Sequence, residues 1–217
     1  MKLRASKQRK RAFTFYEVLL VIVALLLLAM VLLPRLVKLT HHNGEVYCLM
    51  NVRDINVAFA MWSSDHDGKF PMELSVTNGG AMEAAATGNA AGCFLAMSNA
   101  LGSPRILICP VDKTHVAVTN FNELNNSHVS YFIGVDASRG NAEGILTGDA
   151  NLAIGGVPVR SGLLALSTNT PVAWTTARHP YGGTLGYTDG RAAECVNSEL
   201  SPTLQLTQLA TNRFAIP

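Results

Sequence analysis

Hydrophobic residues are distributed along this chain in two regimes. From Val18 to Leu33 no polar side chain interrupts the run. Counted from Phe13, the segment to Leu33 has 21 residues, and a helix of that length covers roughly 32 Å, enough for a hydrocarbon core of about 30 Å. Beyond Pro34 the pattern becomes periodic. Leu36, Leu39, Val46, Met50, Val57 and Met61 recur at near-heptad spacing, with Leu49, Val52, Ile55 and Phe59 widening the stripe. Gly44 interrupts it, at up to about 1 kcal/mol relative to alanine. Asp65-His66-Asp67-Gly68-Lys69-Phe70-Pro71 supplies a stop, with a glycine and then a proline. The pattern predicts one helix from Phe13 to about Ser63, roughly 76 Å long.

The remainder, from Asp65, reads differently. Ala81–Ala86 and Cys93–Ala100 are candidate short helices flanking a Gly88–Gly92 loop. Arg105–Cys109, Val129–Val135, Gly144–Thr147, Pro171–Thr176 and Leu185–Thr188 read as strands separated by Gly and Asn turns. Strands after one long helix predict an α+β architecture, an antiparallel sheet lying on the helix. The segment is long enough to bury its own core.

Charge adds a direction. Lys2, Arg4, Lys7, Arg9, Lys10 and Arg11 crowd the first eleven residues without an acid among them. Such a flank keeps the N-terminus cytoplasmic and sends the rest of the chain across the membrane. Without those six of the 17 Lys and Arg, the formal charge goes from +2 to −4, because all 15 acids stay. The basic balance therefore belongs to the tip, and no basic block remains to bind nucleic acid. Glu17 is the one carboxylate in the apolar stretch. A charge near a bilayer centre costs about 2.5–3.5 kcal/mol, so it needs a partner or an exit. Cutting the chain before Phe13 would create a partner, an α-amino group one turn away on this or a neighbouring copy. Snorkelling to the headgroups, helped by the positive end of the helix dipole, is the other solution. An ordinary secretory signal has a shorter apolar core ending in small residues; this run ends Val-Leu-Leu-Pro-Arg.

Ala12-Phe13-Thr14-Phe15-Tyr16-Glu17, followed by Val18-Leu19-Leu20-Val21-Ile22, resembles the N-terminal signal of type IV pilins and type II secretion pseudopilins. The usual form there is Gly, then Phe-Thr-Leu-Ile-Glu. Ala12 replaces the common glycine, and Phe15-Tyr16 replaces the common Leu-Ile pair. The resemblance implies cleavage between Ala12 and Phe13 by a prepilin peptidase, N-methylation of Phe13, and a helix kinked at Pro34. It also implies that Glu17 neutralises the N-terminal amine of an adjacent subunit. The expected organisation is a leader over 1–12, a long helix over 13–64 (transmembrane over 13–33, periplasmic over 34–64) and a pilin-like head over 65–217. Expected partners are the peptidase, copies of this chain, other pilin-like subunits and an inner-membrane assembly platform. The expected setting is a bacterial inner membrane, crossed once, with the head periplasmic or in a filament of a type IV pilus or a type II secretion pseudopilus.

A second resemblance lies further along. His179, nine residues, then Asp189-Gly190 is similar to the H-X9-DG segment of many prepilin-like proteins. Ser130-Tyr131-Phe132, Leu146-Thr147-Gly148-Asp149 and Ala210–Pro217 are similar to the same group. His179 and Asp189 could in principle orient a nucleophile, but no Gly-x-Ser-x-Gly accompanies them. The Gly182-Gly183 and Asp189-Gly190 turns instead suggest a hairpin across which His179 bonds. Asp136 and Asp149 read as turn formers. Asp65-x-Asp67-Gly68 echoes a calcium loop without its closing glutamate; some pseudopilins hold calcium in a head loop, but a helix cap explains these residues. No cofactor and no metal site are expected.

Cys48, Cys93, Cys109 and Cys195 form no Cys-x-x-Cys pair, which argues against a zinc ribbon or a thioredoxin-type site. Disulfides are permitted in a periplasmic head, and four cysteines allow three pairings. Cys48 and Cys109 occupy positions familiar in the resembling group, which favours that pair; buried free thiols are the alternative. The expectation overall is a non-enzymatic pilin-like subunit. A periplasmic enzyme or ligand-binding domain on a permanent anchor is the competing reading.

Overall fold

A computed structural model describes residues 15–217, without the side chains of residues 33–43. Ala12 and Phe13 lie outside the described residues, and Pro34 lies within a helix with its side chain outside them. The chain divides into two compact units, Met1–His42 and Asn43–Pro217. In the first, helix α1 (Phe15–Ser64) begins with Glu17 in its first turn. Phe15–Leu32 is long and apolar enough to cross a membrane, and none of it is buried in the molecule.

The second unit is α+β. Its larger sheet is antiparallel throughout, built from β1 (Tyr131–Gly134), β2 (Ile145–Asp149), β5 (Gly162–Ser167), β7 (Gly182–Tyr187), β8 (Ala192–Val196) and β9 (Thr211–Ile216), in the order β5-β9-β1-β2-β7-β8. A smaller sheet orders β4 (Val157–Pro158), β3 (Leu152–Ile154) and β6 (Val172–Trp174). Alternation along β1 assigns its side chains to two cores. Tyr131 and Ile133 join the core that contains α1, with Leu146 and Ala215. Phe132 points the other way, to Leu185, Phe214, Trp174 and the residues of α5 (Asn197–Leu206).

The face that α1 buries is Cys48, Val52, Ile55, Phe59 and Trp62, joined by Asn56 and Ser63. Spacings of four, three, four and three residues are those of a single helical stripe. The sheet admits the helix because β7 has a glycine beneath it. A Cβ on Gly186 would stand 2.5 Å from Asn56 Oδ1 and 2.9 Å from Val52 Cγ1. Gly44, which looked like a flaw in the helix, has the same reason: a Cβ there would stand 2.3 Å from Val111 Cγ1.

Several expectations change here. Of the regular members of the expected stripe, Val46, Met50, Val57 and Met61 are 41–55% exposed, the side chains of Leu36 and Leu39 lie outside the described residues, and of the widening residues Val52, Ile55 and Phe59 join the core. Arg105–Cys109 is no strand. Ser103 caps and Pro104 opens a 3-10 turn, Pro104–Leu107, because a serine acceptor before a proline favours a helical start. The Gly88–Gly92 loop is shorter than expected, since α2 (Met82–Ala86) and α3 (Ala90–Ala96) nearly meet, with α4 (Ser98–Leu101) following. Asp67 and Gly68 adopt left-handed backbone, and the Gly68 N–H donates to Ser63 C=O at 2.9 Å, a C-terminal cap on α1. Helix α5 lies where no element was expected; Pro202 is inside it, and burial of Leu200 and Leu204 holds it in place.

The two faces of α1 should respond oppositely to truncation. Phe59→Ala is expected to cost about 3–5 kcal/mol of stability, whereas Met61→Ser should stay within roughly 1 kcal/mol. Denaturant unfolding of the detergent-solubilised chain, followed by tryptophan fluorescence, measures both. Similar losses would mean that the assigned buried face is wrong.

Candidate functional site

Four segments far apart in sequence converge where α1 meets the larger sheet. Cys48 comes from the inner face of α1. Cys109 opens a turn, Cys109-Pro110-Val111-Asp112, closed by the Asp112 N–H donating to Cys109 C=O at 2.9 Å; proline at the second turn position suits it. Asp149 ends β2, paired in register with Tyr131. His179 sits on the segment that leads into β7, beside Arg178.

Their donor atoms gather within 4.8 Å of one another, all four residues buried. Cys48 Sγ lies 3.4 and 3.3 Å from the two Asp149 carboxylate oxygens. Cys109 Sγ is 3.3 Å from His179 Nε2, and that nitrogen is 3.4 Å from Asp149 Oδ2. Surrounding groups address the same atoms. The Thr184 N–H donates to Asp149 Oδ2 at 2.8 Å. The Tyr131 hydroxyl is 3.4 Å and the Thr184 hydroxyl 3.8 Å from Cys48 Sγ. His179 Nδ1 is buried without a hydrogen-bond partner.

Beside this cluster stands a second acid. Asp112, its side chain 1% exposed, receives Arg178 at 2.6 Å, His115 at 2.8 Å and the Ser130 hydroxyl at 2.7 Å. Burial opposes its charge, yet hydrogen bonds from His115, Thr114 and Ser130 and the charge of Arg178 hold its carboxyl well below the usual range. Arg178 also approaches Asp149 Oδ1 at 4.0 Å, so one guanidinium links the two acids.

The electrostatics of the four residues are uneven. Burial opposes charge on His179, but its hydrogen bonds with Asp149 and Cys109 outweigh that and lift it to about 10. For Cys109 the hydrogen bond with Cys48 is the largest influence. Burial opposes it, His179 reinforces it, and the thiol is held at about 6. Cys48 is pushed the other way by the same bond, by burial and by the charge of Asp149. A Cys109 thiolate facing a His179 imidazolium is a reactive-looking pair, but both residues are buried, Cys109 at 0% exposure and His179 at 4%.

The residues singled out in the sequence are thus redistributed. Cys48 and Cys109, the favoured pair, do meet, and both stand as free thiols in this structure. Cys93 and Cys195 are buried elsewhere, in different cores. His179 does not bond across the hairpin. Asp189-Gly190 makes the β7–β8 turn and Asp189 holds Arg191, whereas Gly182-Gly183 begin a strand. Asp149 is no turn former but a fully buried strand terminus. Asp136 receives the Arg213 guanidinium. Asp112, Arg178 and Tyr131 carried no local signal of a shared site, because Arg178 is remote in sequence from Asp112, and Tyr131 from Cys48. Comparison with protein-family models, with curated proteins and with solved structures finds no match to this chain.

Breaking the Asp112–Arg178 pair should be costly. Asp112→Leu leaves a buried guanidinium without its main partner and is expected to lose about 3–5 kcal/mol. Adding Arg178→Met should recover part of that loss. Equal destabilisation by the single and double variants, in denaturant titrations, would show that the pair is not the source of the cost.

Proposed function

We infer that this chain is a non-enzymatic, pilin-like structural subunit, anchored in the inner membrane by α1 and assembled side by side with its own copies or with related subunits. The observation that carries this reading is the apolar surface that α1 leaves uncovered in each compact unit. Phe15–Leu32 is unburied throughout. In the head unit, Met50, Val57 and Met61 remain more than half exposed although the opposite side of the same helix is the core. A helix used only as an anchor needs apolar surface in the lipid alone. One that also packs against other subunits needs it on its extramembrane half, which is where this stripe lies.

The N-terminal motif refines the reading. Cleavage after Ala12 and methylation of Phe13 would leave an amine one turn from Glu17, and pairing with a neighbour's amine would remove the cost of a carboxylate in lipid. The subunit would then belong to a type IV pilus or a type II secretion pseudopilus, with its head in the periplasm. An anchored enzyme is the weaker reading, because the Cys109–His179 pair that most resembles catalytic machinery is buried, and no nucleophile motif accompanies His179 in the sequence.

Two experiments test this. N-terminal sequencing or intact mass of the mature protein should show methyl-Phe13 in the wild type and an intact leader in Ala12→Glu; identical shortened products would place cleavage elsewhere. Glu17→Leu should insert more readily, by roughly 3 kcal/mol, and be cleaved normally, yet give few sheared or crosslinked multimers. Met50→Glu/Met61→Glu should fold but also assemble poorly, since a buried methionine contributes about 1.5–3 kcal/mol and each 1.4 kcal/mol is about tenfold in affinity. Wild-type yields of multimers from both variants would refute the assembly role.

A further inference from the structure

We propose that Cys48, Cys109, Asp149 and His179 form a structural zinc site that fastens α1 to the sheet of the head. The donor set is two sulfurs, one imidazole nitrogen and one carboxylate, drawn from a helix, a turn, a strand end and a loop. Two thiolates select a soft or borderline ion over calcium or magnesium, which take oxygen donors, and two cysteines are too few for an ordinary iron–sulfur cluster. Four protein ligands with no open position are the mark of a structural site.

The geometry fits that ion. Zinc holds thiolate sulfur at about 2.3 Å and nitrogen or oxygen at about 2.0–2.2 Å, so the edges of its tetrahedron are about 3.3–3.8 Å. Three edges of the cluster measure 3.3 Å (Cys109 Sγ to His179 Nε2), 3.3 Å (Cys48 Sγ to Asp149 Oδ2) and 3.4 Å (His179 Nε2 to Asp149 Oδ2). No pair of the four donors is farther apart than 4.8 Å, so closing on an ion requires only small side-chain shifts.

The groups behind the donors fit as well. Tyr131 and Thr184 direct hydroxyls towards the Cys48 sulfur, and the Thr184 N–H is bonded to Asp149; hydrogen bonds of this kind orient ligands and temper thiolate charge. Binding displaces the protons of both thiols and leaves His179 neutral. Two thiolates and a carboxylate then exceed the ion's charge by one, and the Arg178 guanidinium, 4.0 Å from Asp149 and shared with Asp112, faces that excess. The His179 ring also benefits. As an imidazolium it would bury a charged N–H at Nδ1 with no acceptor, whereas bound through Nε2 it leaves only a neutral N–H unmatched.

The test is metal analysis of the full chain, purified in detergent with a thiol reductant and equilibrated with Zn2+ or Co2+. One zinc per chain should survive gel filtration. Cobalt should give sulfur-to-metal charge transfer and the intense visible bands of a tetrahedral ion. Groups behind metal ligands are commonly worth 10–100-fold in affinity, so Cys109→Ser and His179→Ala should each weaken binding by more than about 100-fold. Cys93→Ser and Cys195→Ser, at buried thiols outside the cluster, should leave it unchanged. Chelation should lower the melting midpoint by roughly 5–15 °C. If a variant fails to fold, the wild-type cobalt spectrum decides alone. The proposal is overturned by a cobalt spectrum without thiolate charge transfer, by binding that survives Cys48→Ser/Cys109→Ser, or by membrane-extracted chain that carries a Cys48–Cys109 disulfide and no zinc. None of these readouts depends on leader cleavage or on assembly, so this proposal and the pilin-like reading fail separately.

Discussion

Burial of one face of α1 against the larger sheet is the contact on which the head depends. Cys48, Val52, Ile55, Phe59 and Trp62 are all within 7% of full burial, and the core around them gathers the short helices, β1 and the loops between. Fully burying side chains of this size is worth about 1.5–3 kcal/mol each relative to exposure, which no exposed ion pair in the molecule could match. The approach is close because glycine meets it from the other side. Gly186 leaves room for Val52 and Asn56, and Asn56 in turn donates to Arg191 C=O at 2.8 Å, tying the helix to the β7–β8 hairpin.

At the upstream end of this contact the chemistry turns polar. Cys48 is the first buried side chain of the stripe among the described residues, and around it lie a carboxylate, an imidazole, a second thiol and, one step away, the Asp112–Arg178 pair. Buried charge is tolerated only when it is paired or hydrogen-bonded, and Arg178 faces both acids, closely at Asp112 and at 4.0 Å from Asp149. Its neighbour His179 faces Asp149. Two consecutive residues on one loop thus serve two carboxylates on two other segments, which makes the loop before β7 a keystone although it has no regular secondary structure.

The same helix has a second economy. Its inner side completes a folded head, while its outer side in that unit keeps Val46, Tyr47, Met50, Val57 and Met61 exposed. A monomeric soluble protein would gain solubility from polar residues at those positions. Their apolar character is the physical basis for reading the head as something that packs with others, alongside an N-terminal segment whose apolar residues are unburied in the molecule.

Some of this was legible without coordinates. The apolar run of Val18–Leu33, the basic tip and the cap at Asp67-Gly68 follow from local composition and backbone preference, and so does the α+β character of the remainder. The expected strands Val129–Val135 and Pro171–Thr176 contain Tyr131–Gly134 and Val172–Trp174, and Gly144–Thr147 and Leu185–Thr188 overlap Ile145–Asp149 and Gly182–Tyr187, whose Gly182-Gly183 start reads in the sequence as a turn. The buried side of α1 was not legible, because apolar residues occupy both sides of the helix and periodicity cannot say which one a sheet will cover. Nor could Asp149 be told from a turn former, since Gly-Asp reads the same at a strand end as in a loop. His179 carried a motif but not its partners. It is joined to Cys48, Cys109 and Asp149 by the order of strands in the sheet and by the way the turn at Pro110 folds under Gly44. Those are long-range choices made by packing, where side chains many residues apart compete for one volume, and only the tertiary structure decides them.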